Sequence, residues 1–295
     1  MSTRDKIIRH MQRVGEAGRR ELSEITGTSH VMVGRVVAQL CHEGILSHAG
    51  TNSSEGGRPA QRYRYNPQHA SVLFFRIERD AGILQSALEK LDMQGNLQEE
   101  TRGRFTHIQP EMLDERLDTY FRHQHLSPGR IALHLPPEQA SAELADHLRH
   151  RYGRQVIRLN AAAALADTRP HTLTLLCSRA HPLSAAHRQS SSLHPCPHIE
   201  SLPLPAWEQL DYSDHTLVEE TLSRLLQMLT CILSTERVVL HSDSWSERLL
   251  SRIRYNLSTK LKNHPSPPRL HFRTLHAEQL TVALRRAAAA GTIRS

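Results

Sequence analysis

Cysteine is scarce, at four in 295 residues, and the four follow no spacing pattern. That excludes a disulfide-stapled secreted scaffold and fits a reducing compartment. Aromatic residues make up only 4% of the chain, and no run approaches the roughly 18 apolar residues of a membrane-spanning helix. The opening MSTRDKIIRH is charged and lacks the apolar centre of a secretory leader. No repeat of solenoid period recurs. These absences together predict a soluble, cytoplasmic protein. Charge is present: 37 Lys and Arg stand against 30 Asp and Glu, a formal +7. That keeps a polyanionic partner in view without establishing one. A length of 295 residues is enough for two or three compact units with real cores.

The first seventy residues read as three helices and a hairpin. Over 3–14, Ile7, Ile8, Met11 and Val14 recur at helical spacing, with Ser2 or Thr3 as cap and Gly15 and Gly18 as stops. Residues 19–26 (RRELSEIT) predict a short second helix with Leu22 and Ile25 inward. Gly27 supplies a turn, Thr28 or Ser29 a cap, and 30–42 a longer helix burying Val33, Val36, Val37 and Leu40. A short helix, a tight turn and a longer helix are the parts of a helix-turn-helix, whose second helix enters the major groove. With the valines turned inward, Ser29, His30, Met32, Arg35 and Gln39 are left outward. His30 and Gln39 suit base edges, Arg35 a guanine or phosphate, and the helix N-terminus a phosphate. Arg19, Arg20 and Arg62 are further candidates for phosphate contact. The alternative use of such a helix pair is packing on another protein.

Two β-like runs, 45–48 and 62–65, flank AGTNSSEGGRPAQ. This predicts a wing whose tip carries Gly57-Arg58-Pro59. Glycine lets the backbone approach closely, proline fixes an extended exit, and arginine suits a narrow A/T-rich minor groove. A solvated loop bearing one charge is the bland alternative.

At this point the sequence resembles the N-terminal domain of the ROK family repressors, bacterial regulators of xylose and N-acetylglucosamine genes. The matching features are the L-x-x-x-T-G turn from Leu22 to Gly27, Ser29, Val33, Arg35, Leu40, Glu43–Ile45, the GGRP tip and Asn66-Pro67. One departure is Gly34, where the family usually carries serine; no hydroxyl is present there to reach a base or phosphate, and a mid-helix glycine costs about 1 kcal/mol.

Beyond Pro67, strand-like and helical patterns alternate, as in α/β layers. Strands are predicted at 72–77, 83–91, 97–105, 130–135, 155–159, 172–177, 237–240 and 269–272. Helices are predicted at 111–125, 138–152, 160–166, 215–233, 246–261 and 277–290. The long helix at 215–233 is read with Leu217, Thr221, Leu225, Met228 and Ile232 on one face. Residues 178–206, rich in Ser, His and Pro, are expected to form an extended loop. The order resembles the two-lobed, actin-like sugar-kinase domain of the ROK family. The resemblance implies an α/β fold class with a winged helix-turn-helix at 1–70 and a degenerate ROK-like domain at 71–295, lobes near 71–159 and 160–295.

The chemistry that the resemblance would bring is mostly missing. Where the family has an Asp and paired glycines for phosphate, this chain has Ile77-Glu78-Arg79-Asp80-Ala81-Gly82. Such a cradle needs converging backbone N–H groups free of Cβ atoms. Where the family's kinases have Asn-Asp, with the carboxylate as base, Asn160 is followed by four alanines. The second glycine pair is replaced by His241-Ser242-Asp243. In place of a zinc-binding cysteine cluster stand His194, Cys196 and His198, with His181, His187 or Glu200 as a possible fourth ligand. A metal-free, proline-stiffened loop is the alternative, and no metal or other cofactor is expected. The sequence therefore predicts a nucleoid-associated, DNA-binding transcriptional regulator of repressor type. It would act as a homodimer or a dimer of dimers on operator DNA, with an effector left open. The competing assignments are a sugar or amino-sugar kinase with an extra module, and an interaction protein with secondary DNA affinity.

Overall fold

The computed structural model describes residues 2–51, 61–80, 83–105, 108–123, 129–136, 142–153, 155–177, 183–196, 215–233, 235–243, 245–262 and 266–291. It opens with α1 (Thr3–Val14), β1 (Glu16–Gly18), α2 (Arg19–Thr26), α3 (His30–His42), β2 (Leu46–Thr51) and β3 (Gln61–Tyr65). Ser2 caps α1 through a reciprocal capping box with Asp5, and Gly15 closes it at φ +80°. The strands form one antiparallel sheet in the order β1-β3-β2. The helices pack on one side of that sheet around Ile7, Met11, Leu22, Val33, Val37, Leu40, Tyr63 and Tyr65. Two details depart from expectation. Ile25 is 44% exposed while Thr26 is buried, because the Thr26 hydroxyl donates to the Leu22 carbonyl at 2.7 Å. Three residues after Gly15, expected only to stop a helix, form β1 against Arg62–Arg64.

The body follows as β4 (Ser71–Asp80), β5 (Ile83–Asp92), β6 (Leu97–Phe105), α4 (Pro110–His123), β7 (Arg130–His134), α5 (Ala142–Tyr152), β8 (Gln155–Arg158) and α6 (Ala161–Leu165). Then come β9 (Thr172–Cys177), β10 (Ser184–Gln189), β11 (Ser192–Pro195), α7 (His215–Leu233), β12 (Arg237–Ser242), α8 (Glu247–Lys260), β13 (Arg269–Thr274) and α9 (Ala277–Ala290). One sheet has the order β6-β5-β4-β7-β8, the other β11-β10-β9-β12-β13. In each, a three-stranded antiparallel meander is extended by two parallel strands. The two sheets thus repeat one topology.

That symmetry corrects the expectation of an extended loop over 178–206 for its described part, 183–196, which holds β10 and β11. SAAHRQ and SLHP have little β propensity, yet Ala185 and Ala186 are both fully buried, on opposite faces of the sheet. Burial between two layers overrides the weak local preference. The long α7 also turns otherwise than expected: Leu222, Leu225, Leu226 and Leu229 are buried, and Met228 is 41% exposed. Four leucines at i, i+3, i+4 and i+7 bury more apolar area than the alternative stripe through Thr221.

Leu113, Leu117, Leu144 and Leu148 from α4 and α5 cover one face of the first sheet. Leu225, Leu229, Ile253 and Leu257 from α7 and α8 cover one face of the second. Between the sheets lie α6 and α9, whose Ala162, Leu280, Leu284 and Ala288 join Phe74 and Ala132 of the first sheet to Leu176 and Ala186 of the second. The β5–β6 turn presses on α9: Gly95 has φ +86°, and a Cβ there would lie 2.8 Å from the Arg285 carbonyl oxygen. Gly95→Ala is expected to cost roughly 2–4 kcal/mol, from left-handed strain plus overpacking. A denaturant midpoint matching the parent's would contradict that close approach. Among the described residues, no helix is long and apolar enough to cross a membrane.

Candidate nucleic-acid interface

The turn between α2 and α3 is built by short-range chemistry. Gly27 ends α2 in the left-handed conformation at φ +66°, its N–H donating to the Ser23 carbonyl at 2.9 Å. The Ser23 hydroxyl donates to the Thr28 carbonyl at 2.5 Å. Ser29 then caps α3, its hydroxyl accepting from the Met32 N–H at 3.4 Å.

Val33, Val37 and Leu40 are fully buried, with Val36 partly so. This leaves Ser29, His30, Val31, Met32, Arg35, Ala38 and Gln39 exposed. Of the outward residues expected from the sequence, Met32, Arg35 and Gln39 lie along one face of α3, and Ser29 and His30 are exposed at its N-terminal end. The helix carries no acidic residue along its length. Arg35 has no hydrogen-bond or ion-pair partner among the described residues. Gln39 is less available, because its amide donates to Glu43 at 2.9 Å. Glu43 is in turn gripped by both terminal nitrogens of Arg4, which holds its carboxyl below the usual range.

The structure adds Val31, passed over in the sequence. It is 69% exposed beside Met32 at 45%. Its signal was available: a helix that buries positions 33, 37 and 40 turns position 31 outward.

The flanking arginines differ in what they do. Arg20 is exposed and, among the described residues, reaches only Glu24, one turn along α2, at 3.1 Å. Arg19 clamps the unit together: its Nε donates to the Tyr63 hydroxyl at 2.8 Å and its guanidinium lies 5.6 Å from that ring's centre. Arg62 is bound to Glu16 at 2.8 Å, and with Arg64 it lowers that carboxyl's pKa. Strands β2 and β3 form the hairpin that the sequence suggests, with a bulge between His48 and Gly50. Its Gly57-Arg58-Pro59 tip lies outside the described residues. Gly34 faces Arg19, and a Cβ added there would meet that side chain at 3.8 Å, an ordinary contact. Gly34→Ala is accordingly expected to stabilise the protein by about 0.5–1 kcal/mol through helix propensity. A lower midpoint in chemical denaturation would contradict this.

In the body, the positions compared with kinase chemistry are structurally occupied. Asn160 caps α6, its Oδ1 accepting from the Ala163 N–H at 2.8 Å, and buried Ala161 follows it. His241 and Ser242 are not a phosphate loop but buried strand residues paired with β9 and β13. Burial pushes the His241 imidazole down to about 4, so it is neutral at physiological pH. The ladder of β4 and β5 runs to Asp80 and Ile83, and Ala81-Gly82 lie outside the described residues.

His194 and Cys196 fall on one face of the strand containing β11, and Cys196 packs against the core beneath. His198 lies outside the described residues, as do His181 and Glu200. Across from His194 stands His187, whose pKa burial lowers. Among the described residues, no three His, Cys, Asp or Glu side chains come together as a metal-holding group.

No protein-family model matches the sequence, and no curated protein does. The chain is similar to a ROK hexokinase from Thermus thermophilus, at 15% identity and a TM-score of 0.47, over 74% of this chain and 98% of that one. It is similar also to a ROK family protein from Streptococcus pneumoniae TIGR4 in complex with sucrose, at 12% identity and a TM-score of 0.49, over 74% and 97%. A ROK family transcriptional regulator, a homolog of the E. coli MLC protein, matches at 12% identity and a TM-score of 0.66, covering 97% of this chain and 96% of that one. The last likeness shows the fold: a mixed α/β chain whose sheets match those of the ROK architecture along nearly its whole length.

Proposed function

We propose that this chain is a DNA-binding transcriptional regulator of repressor type. Its N-terminal unit works as a winged helix-turn-helix, and its larger body supports dimerisation rather than catalysis. The observation that carries this reading is α3: buried on one side, free of acidic residues, exposing Met32 and Arg35 on the other and Ser29 and His30 at its N-terminal end. The N–H groups of its first turn, of which Ser29 takes one, suit a phosphate. Arg35 suits guanine or phosphate, and Val31 and Met32 suit thymine methyl groups. The hairpin β2–β3 follows this helix in the sequence, as a wing does, and the chain between its strands carries Arg58. Similarity of fold to a ROK transcriptional regulator supports the same assignment.

For the body, support comes from the buried alanine after Asn160, which leaves no carboxylate at that position to accept a hydroxyl proton. Two recognition helices in a homodimer would sit about 34–36 Å apart, one DNA turn. The test is a gel-shift titration of the full chain against fragmented genomic DNA, repeated as salt is raised. Expected is a shifted complex that weakens steeply with salt. Absence of any complex at low salt would overturn the assignment. Turnover of ATP with hexoses or amino sugars would overturn its non-catalytic half.

A further inference from the structure

Between α1 and the body runs a cleft of about 1530 Å³. Its α1 wall carries Arg4, Asp5 and Arg9, and its body wall carries Arg130 of β7, Arg188 of β10 and Arg286 of α9. Asp5, the one acidic side chain lining it, is committed to the Ser2 capping box, and Arg4 is committed to Glu43 at 2.7 Å. None of the other four arginines has a carboxylate partner among the described residues. Arg130 is anchored by neutral acceptors, donating to Gln155 at 3.0 Å and to the carbonyls of Ala288 and Ala289 at 3.1 and 2.7 Å. Arg188 donates to the carbonyls of Asp167 and Ser191 at 2.7 and 3.4 Å. Arg9 and Arg286 are exposed, and neither has a hydrogen-bond partner among the described residues.

A second cleft of about 900 Å³ continues past Arg9 and Arg286 and adds Lys6 and Arg13, with no acid in its lining. Like charges thus face each other across the join of the two units, an arrangement that repels until an anion fills it. Apolar packing at this join includes Met93, which touches the cores of both units. Anchored arginines lose little freedom when they bind, and each presents a fork of donors to phosphate oxygens.

We propose that this cleft binds a small polyanion bearing two or more phosphate groups, bridging α1 to the body and so setting the posture of the N-terminal unit. Binding itself does not depend on the DNA-binding assignment; the consequence for DNA rests on it. The test uses the full chain, with inorganic pyrophosphate as probe, in isothermal titration at constant ionic strength. Saturable binding is expected, weakened at least tenfold in the Arg9→Ala/Arg286→Ala double variant. Arg224→Ala, which removes an exposed arginine outside both clefts, should bind like the parent. No saturable heat, an unaffected double variant, or an equal loss in Arg224→Ala would each overturn the proposal. A second arm follows labelled genomic DNA by anisotropy with and without pyrophosphate. The probe should alter DNA affinity in the parent and not in the double variant. If the double variant loses DNA affinity while the parent ignores pyrophosphate, the arginines belong to a DNA surface and the proposal fails. If no DNA binds at all, the functional assignment fails and the titration alone decides for the cleft.

Discussion

Replacing Glu89 with alanine is expected to lower stability by about 3–5 kcal/mol, the usual cost of removing one partner from a buried ion cluster. Glu89 lies on β5 and is fully buried. Its carboxylate accepts from Arg285 Nε at 2.7 Å and Nη2 at 3.2 Å, and from Arg76 Nη2 at 3.3 Å. Arg76 also holds Glu78 at 2.7 Å, and its Nε has no partner among the described residues. One carboxylate therefore joins the first sheet to α9, across 196 residues of sequence. Without it, the Arg285 head group stays largely out of water with its charge uncompensated, and Arg76 keeps only Glu78 among the described residues. Glu89→Gln keeps the shape and loses the charge, so it should fall between parent and alanine. The double change Glu89→Leu/Arg285→Leu should cost clearly less than the two single leucine changes added together, because it strands fewer charges. Guanidinium denaturation of these variants measures this. A cost below about 1 kcal/mol for Glu89→Ala would show that the cluster contributes little to holding α9 in place.

Where element ends are coded by neighbouring residues, they could be read directly. The bounds of α1, α2 and α3 follow from Ser2, Gly15, Gly27 and Ser29, each acting within about one turn of itself. The outward residues of α3 were legible for a related reason: three buried positions at helical spacing define the opposite face. Long-range structure was not legible. Arg19 and Arg62 read as free cations until the chain brings Tyr63 and Glu16, 44 and 46 positions away, against them. Strands β10 and β11 were hidden because alanine, serine and histidine state no preference; the layers on either side bury Ser184–Ala186 of β10, and β11 pairs with it as the edge strand. The same holds for Arg9, Arg130, Arg188 and Arg286, which share no motif and meet only through the packing of α1 on the body. Local chemistry sets the ends of helices, whereas clefts and clamps arise from tertiary contact.

Arg35→Ala is expected to weaken binding to a preferred DNA site about 10–100-fold at fixed salt, the usual worth of one good hydrogen-bonded pair with a base or phosphate. Two outcomes separate the roles open to this side chain. If Arg35 reads a guanine, the weakening falls on the preferred site and affinity for unrelated DNA changes little. If it touches phosphate, both affinities fall together and the salt dependence drops by about one counterion. Since Arg35 is exposed and has no partner among the described residues, the substitution should leave the denaturation midpoint unchanged. Arg19→Ala supplies the contrast. That residue clamps Tyr63, so its replacement should reduce stability by about 1 kcal/mol along with any effect on DNA. Val31→Ser probes the apolar end of the same surface and should relax preference for thymine without altering the salt slope. If Arg35→Ala and Val31→Ser both bind as the parent does, α3 is not the element that enters the groove, and the exposed face of this helix serves some other partner.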